Sequence, residues 1–299
     1  MPERQFRCGL VAVVGRPNVG KSTLVNCLVG KKISIVSPKP QTTRTRVLGI
    51  RTDADAQVVY IDTPGLHGGG QNLLSRYMNR AARGGLEGAN CVLLLVAASG
   101  WTEGDSHVLA ILRERSTPVI LVINKIDRLR NRSALLPFMN RALTHMKFAE
   151  IVPVSAATGE NMADLGQTVI HYLPVQPALF PQHQTTDRSE RFVASELVRE
   201  QVFRAMKQEV PYAIAVGIET FERSEKLLRV EAVIWVEKTS QKGIVIGHGG
   251  ERLKLLGTRA REDMEKLFGT KVHLELWVRV REDWADSETV LRSLQYGES

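Results

Sequence analysis

Apolar residues in the first 173 positions gather into short, unbroken runs: Leu10–Val14, Val58–Ile61, Val92–Val96, Val119–Ile123 and Ile151–Val154. Longer mixed segments separate them. Runs without polar alternation are the pattern of strands covered on both faces, so this stretch predicts a doubly wound α/β domain with a mostly parallel sheet. Residues 174–190 hold three prolines with Gln and Thr and little periodicity, and predict an extended linker. Beyond it the texture changes. Residues 190–208 carry Phe192, Leu197, Phe203 and Met206 on one helical face. "YAIAVGIETFE" and "LLRVEAVIWVE" alternate as two strands around the polar turn Arg223–Lys226. "GERLKLLGTRAREDMEKLF" returns to helical spacing through Leu253, Leu256, Met264 and Leu267, and "KVHLELWVRV" alternates as a third strand. The expected organisation is therefore an α/β domain over 1–173, a linker over 174–190 and a smaller α+β domain over 191–299. No fixed-period repeat is present.

Composition narrows the classes. The 299 residues are 43% hydrophobic and 24% charged, ordinary for a folded domain pair. The longest strongly apolar stretch, Cys91–Ala98, falls far short of the ~20 residues a spanning helix needs. The N-terminal decapeptide has no apolar signal core, and Cys8, Cys27 and Cys91 are too few and too scattered for a disulfide frame or zinc site. The expected location is the cytoplasm. A net charge of +8 hints at a polyanionic partner, but its distribution says more than its size. Residues 191–299 balance at 18 basic against 18 acidic, yet residues 238–261 alone carry six basic and one acidic residue.

Chemistry enters at "GRPNVGKST", Gly15, Arg16, Pro17, Asn18, Val19, Gly20, Lys21, Ser22 and Thr23, which directly follows the first apolar run. A strand ending in Gly-x-x-x-x-Gly-Lys-Ser predicts a phosphate-binding loop. Its backbone amides curl around the β-phosphate, Lys21 reaches the β- and γ-oxygens, and the Ser22 hydroxyl ligates Mg²⁺. Base identity is read from "NKID". An Asp at position 127 can accept from guanine N1–H and its exocyclic amine, a donor pair adenine lacks, with Asn124 bracing the loop and the Lys125 stem along the base. Asp62, Thr63, Pro64 and Gly65 end another strand, with Asp62 expected to hold Mg²⁺ through water and the Gly65 amide to sense the γ-phosphate. Ser155 and Ala156, after the next strand, are placed to offer amides to guanine O6. The polar segment Gln41, Thr42, Thr43, Arg44 and Thr45 reads as a mobile switch, with Thr43 as the Mg²⁺-ligating threonine and Thr42 as second choice. Arg44 and Arg46 read as solvated. Leu66 stands where many GTPases carry a water-orienting glutamine, so slow intrinsic hydrolysis is expected.

In the second domain, "GIVIGHGGERLKLLG" places Gly247-His248-Gly249-Gly250 between an apolar segment and a basic amphipathic helix. A tight glycine turn admits a nucleic-acid backbone, and the helix N-terminus with its cations holds phosphates. Lys242, Gly243, Ile244, Ile246, Gly247, His248, Gly249, Gly250, Arg252 and Lys254 are the candidate RNA-binding residues. The helix-first order resembles a type II KH module.

The nucleotide motifs, in this order, resemble the translation-factor-like class of P-loop GTPases. With "PQTTRTR", "DTPGLH", "NKID", "PYAIAV" and "SQKGIVIGHGG" in place, almost the whole chain resembles the bacterial Era family of GTPases. The resemblance implies a monomeric ribosome-assembly factor that cycles between GTP and GDP with Mg²⁺. It implies binding of the 16S rRNA 3′ end through the KH domain and partial, peripheral association with the inner membrane. Relatives with a hydrophobic residue after "DTPG" and an Asn like Asn18 include potassium-activated enzymes, so K⁺ is a further expectation of resemblance. Two features depart from the family pattern: the GxxG interior has no Lys or Arg, and "AARGGLEGAN" is glycine-rich for a helix. A tRNA-modifying GTPase would need a C-terminal reactive cysteine, and none follows Cys91. A signalling or cell-cycle GTPase whose second domain binds protein or membrane remains the alternative, separable by RNA binding.

Overall fold

The computed structural model describes residues 5–65, 72–206, 210–294 and 296. The chain divides into two units, one made of 1–34, 43–69 and 78–187, the other of 35–42, 70–77 and 188–299.

The first unit is built on a six-stranded sheet: β1 (Arg7–Val14), β2 (Val47–Thr52), β3 (Ala56–Asp62), β4 (Cys91–Ala97), β5 (Val119–Asn124) and β6 (Glu150–Pro153). Their order is β2-β3-β1-β4-β5-β6, parallel throughout except for the hairpin of β2 with β3. All seven residues of β3 and of β4 are buried, as the unbroken apolar runs require. Alternate residues serve opposite faces. Val11, Val13, Leu93 and Val122 pack on α1 (Lys21–Val29) and α5 (Met162–His171), while Ala12, Val14, Leu94 and Ile123 pack against Ala82, Val108 and Phe138. Those three residues lie on α2 (Leu73–Gly84), α3 (Glu103–Arg113) and α4 (Leu135–Leu143). The parallel pairing brings the carboxyl ends of β1, β3 and β5 to one edge, where an open α/β sheet presents its ligand crevice.

One glycine of "AARGGLEGAN" has a local cause. A Cβ on Gly85 would lie 2.6 Å from Thr63 Cγ2, so the chain leaving α2 runs against the β3 loop and admits no side chain. Residues 174–187 are held along the first unit. The Cys8 amide donates to Pro174 O at 3.1 Å, and the amides of Leu179 and Phe180 donate to Gln57 Oε1 at 2.8 and 2.9 Å. The Ile50 amide donates to Thr185 O at 2.9 Å, extending the sheet edge at β2. A proline-led segment cannot form a regular ladder, so its anchors are scattered backbone groups and the buried Gln57 amide.

The second unit packs α6 (Glu190–Ala205), α7 (Thr239–Ile246) and α8 (Glu251–Phe268) on the sheet β7 (Ile214–Arg223), β8 (Leu227–Val236) and β9 (Lys271–Val280). β7 and β8 are antiparallel; β8 and β9 are parallel, joined by the α7–turn–α8 crossover. Helix α7 is an element that residue spacing does not predict. It opens where Gln241 Oε1 accepts the amides of Glu237 and Lys238 at 2.9 and 3.0 Å. The chain closes with α9 (Glu288–Ser293), beside a buried Trp284 whose Nε1 donates to Ala213 O at 3.0 Å. Among the described residues no helix is long and apolar enough to cross a membrane.

Candidate functional site

The phosphate loop leaves β1 at Gly15 and returns to α1 at Lys21. A Cβ on Gly15 would lie 2.6 Å from Leu95 O, and one on Gly20 would lie 2.4 Å from Asn124 Nδ2 with φ at 102°, so neither position accepts a side chain. Asn18 takes a left-handed φ of 64°, a conformation Asn tolerates better than most residues. Pro17 packs on Gly65, whose hypothetical Cβ would sit 3.0–3.2 Å from it. Val19 is buried, and Thr23 follows Ser22 in the first turn of α1. The Lys21 ammonium is buried and donates to the carbonyls of Gly15 and Arg16 at 2.9 and 3.1 Å. Burial lowers its pKa to about 8, opposed by the Asp62 carboxylate and reinforced by the Arg16 charge. Phosphate oxygens would take over the donors that these two carbonyls now satisfy.

Three oxygen donors converge beside it. Ser22 Oγ and Thr43 Oγ1 are 2.8 Å apart, and Thr43 Oγ1 donates to Asp62 Oδ2 at 3.4 Å. Asp62 is fully buried, and its Oδ1 has no hydrogen-bond partner among the described residues. Burial pushes its carboxyl above the usual range, against the pull of Ser34, Lys21, Ser22 and Thr43. A buried carboxylate with an orphaned oxygen, next to two hydroxyls, is a hard-oxygen donor set of the kind Mg²⁺ takes. Thr63 Oγ1 donates to Val13 O at 2.9 Å, fixing the chain between Asp62 and Pro64.

Asn124 ties the site together. Its Nδ2 donates to Val19 O at 2.9 Å; its Oδ1 accepts the amides of Lys125 at 2.8 Å and Ala156 at 3.0 Å. Lys125, at φ 68°, sends its ammonium to the carbonyl of Asn18. Asp127 Oδ1 accepts from Ser155 Oγ at 2.6 Å, which orients the carboxylate. The Ser155 amide donates to Glu160 O at 3.1 Å, so with Ala156 bound to Asn124 both amides are already engaged. Guanine O6 would reach either only by displacing those bonds.

The switch segment divides. Thr43, Arg44 and Thr45 belong to the first unit; Gln41 and Thr42 belong to the second with the rest of Ile35–Thr42. Gln41 has φ 58°, and Thr42 Oγ1 donates to Lys39 O at 2.7 Å, leaving Thr43 as the threonine beside Ser22 and Asp62. The Thr42 carbonyl accepts from the buried Arg199. Arg44 is buried and Arg46 half-buried rather than solvated, because the segment leads into Thr45 and Val47, which are buried as β2 begins. Leu66 lies outside the described residues.

In the second unit the glycine turn follows α7. Gly247 (φ 75°), Gly249 (φ 56°) and Gly250 (φ 81°) all adopt conformations that favour glycine. A Cβ on Gly247 would lie 2.7 Å from Arg252 Cβ, so the turn closes tightly on α8. Gly249, Gly250 and Gly243 face open space. Gly250, the cap residue of α8, has no side chain to bond the first amides of the helix, of which the Glu251 amide donates to His248 O. Lys254, His248 and Ile244 are exposed and Lys242 and Ile246 half-buried, while Arg252 donates to Ile244 O. Val245, by contrast, is fully buried in the core, so only part of the apolar run is left to face a ligand.

One residue that the motifs do not single out is Asp105, whose carboxylate meets the Arg16 guanidinium at 3.2 Å. Its signal is the spacing Thr102-x-x-Asp105 at the head of a helix, a capping pattern.

Comparison with known proteins is consistent across the chain. A family model described as a 50S ribosome-binding GTPase matches residues 10–125, and a KH-domain model matches residues 209–285. The chain is 52% identical over 291 residues to GTPase Era of Coxiella burnetii strain Dugway 5J108-111, covering 97% of this chain and 98% of that one. It is 53% identical over 289 residues to GTPase Era of Stenotrophomonas maltophilia strain K279a, covering 97% of each. A crystal structure of Era in complex with MgGDPNP and nucleotides 1506–1542 of 16S ribosomal RNA superposes with a TM-score of 0.95 at 39% identity, over 98% of this chain and all of that one. A crystal structure of an Aquifex aeolicus Era variant bound to GDP·AlF4⁻ gives the same score and coverage. With both domain models matched and such identity over nearly its full length, the chain belongs to the Era family of GTPases.

Proposed function

We propose that this GTPase uses its nucleotide cycle to control binding of the 3′ end of 16S rRNA by the KH unit, and so assists small-subunit assembly. The observation that carries the RNA half is the head of α8. Three left-handed glycines, two of them open to solvent, precede an uncapped helix N-terminus flanked by Arg252 and Lys254. Such a turn lets a single strand approach to backbone distance, with Ile244 offered to a base beside it. The relative solved with MgGDPNP and nucleotides 1506–1542 of 16S rRNA supports the same partner for this chain.

In the nucleotide half, Lys21 and the loop amides hold the β- and γ-phosphates, and Asp127 selects guanine. Ser22, Asp62 and Thr43 hold Mg²⁺, which neutralises charge on the β- and γ-oxygens. Thr43 gives the γ-phosphate a way to order the switch, since the threonine that meets the metal begins a segment running directly into β2. Potassium dependence rests on resemblance and on Asn18 in the loop. A cytoplasmic location with peripheral contact at the inner membrane rests on resemblance alone.

The test is binding of a short single-stranded RNA copied from the 16S 3′ end to the full chain, with Gly249→Asp as comparison. The substitution adds a negative charge at φ 56° without disturbing the core. Binding by the wild type that Gly249→Asp weakens at least tenfold supports the reading. Weak, salt-sensitive binding that the substitution leaves unchanged would move the second unit towards a protein partner.

A further inference from the structure

Asp105 sits at the third position of α3 and has two sets of partners. Its Oδ2 accepts the Thr102 amide at 2.9 Å, the carboxylate half of a capping box, and also the Thr102 hydroxyl at 2.7 Å. Both carboxylate oxygens stand 3.2 Å from Nε of Arg16, a residue of the phosphate loop. The carboxylate is fully buried, and Oδ1 receives no hydrogen bond among the described residues. A cap alone does not account for this arrangement. At this third helical position an uncharged Gln or Asn would accept the Thr102 amide without burying a charge, and an uncompensated buried carboxylate is costly. The compensation comes from Arg16. The intervening position is Gly104, where a Cβ would already lie 3.3 Å from Arg16 Cδ, so glycine leaves room for the arginine stem. Arg16 also supplies the carbonyl that accepts Lys21 Nζ at 3.1 Å. One side chain thus joins the head of α3 to the residue whose backbone holds the phosphate-binding lysine.

We propose that Asp105 is a positioning residue for the phosphate loop: by clamping Arg16 it fixes the loop curvature that presents Lys21 and the loop amides to the nucleotide phosphates. The inference rests on the reading of residues 15–23 as the nucleotide loop. Its effect falls on binding. An anchored loop is ordered before the nucleotide arrives, whereas a released loop must be ordered by it.

The Asn variant separates the two duties of the carboxylate. Asp105→Asn keeps an oxygen to accept the Thr102 bonds and loses the charge that holds Arg16. The measurement is the affinity of the full chain for a fluorescent GDP analogue with Mg²⁺, alongside steady-state GTP hydrolysis. The set is wild type, Asp105→Asn, Arg16→Ala and the double variant, each checked for a cooperative thermal transition. The expected result is a dissociation constant and KM raised about tenfold in each single variant, kcat within about twofold, and a double variant no worse than the weaker single one. Wild-type affinity in Asp105→Asn, or single-variant losses that multiply in the double variant, would overturn the proposal. If Asp105→Asn does not fold, Arg16→Ala decides alone, and unchanged affinity there overturns it. Failure of the wild type to bind the GDP analogue would count against the nucleotide reading itself, a different outcome.

Discussion

Asn124→Ala isolates the bracing function around which the nucleotide site is built. The side chain is buried and makes three hydrogen bonds in three directions, to the Val19 carbonyl and the amides of Lys125 and Ala156. Alanine removes all three. At about 1 kcal/mol net for each, the loss is about 3 kcal/mol, and more if the two orphaned amides carry their full desolvation cost. In a unit of this size that corresponds to a melting temperature lower by about 10 °C for the nucleotide-free protein. The three partners lie on the phosphate loop, the NKID loop and the Ser155 loop, so the loss should also appear in binding. The nucleotide must then order loops that Asn124 previously held, and affinity for GDP should fall about tenfold, or about 1.4 kcal/mol. The control is Asn90→Ala, which removes one bond to the Leu10 amide in the middle of β1 and should cost about 1 kcal/mol without changing affinity. Differential scanning calorimetry and fluorescent-nucleotide titration measure the two effects. An Asn124→Ala protein that melts no lower than Asn90→Ala and binds GDP like the wild type would refute the bracing argument.

Three further outcomes follow from the same geometry. Lys21 has a folded pKa of about 8 against an ordinary 10.5, so between those values the unfolded chain binds the extra proton and the Lys21 contribution to stability of the nucleotide-free protein rises with pH. Denaturant unfolding at pH 8 and pH 10 should show the wild type gaining stability relative to Lys21→Met, a difference in which the opposing contributions of the buried cysteines and Tyr60 cancel. Asp62→Ala should remove the Mg²⁺ dependence of GTP affinity seen on titration with EDTA. Gly85→Ala should force Thr63 from its bond to Val13 O and lower stability by about 1–3 kcal/mol, read as a shifted denaturation midpoint.

The strands buried on both faces were legible because each reads as an unbroken apolar run, and the loops that follow them carry dense, ordered motifs. Less was legible where tertiary contacts overrule local pattern. Strand β2 was not anticipated: "VLGIRT" is interrupted by Gly49, which is glycine because Ile33, Val25 and Val29 crowd its missing Cβ at 2.4–2.9 Å. Helix α7 was hidden by a central Gly243 and a β-branched run, both poor helix formers, and is held instead by the Gln241 cap and the burial of Val245. The segment 174–187 offers no periodicity, yet Gln57, a lone polar residue in an apolar strand, is the sign that something docks there. The site residues stand out as types, but their couplings do not. Nothing in "WTEGD" says that Asp105 reaches the phosphate loop 89 positions away.

The most direct test of the account is the affinity of the wild-type chain for 16S 3′-end RNA measured twice at one salt concentration, once with a non-hydrolysable GTP analogue and Mg²⁺ and once with GDP. Tight binding with the analogue and at least tenfold weaker binding with GDP is the expected result. Equal affinity in the two states would contradict a nucleotide-controlled RNA clasp.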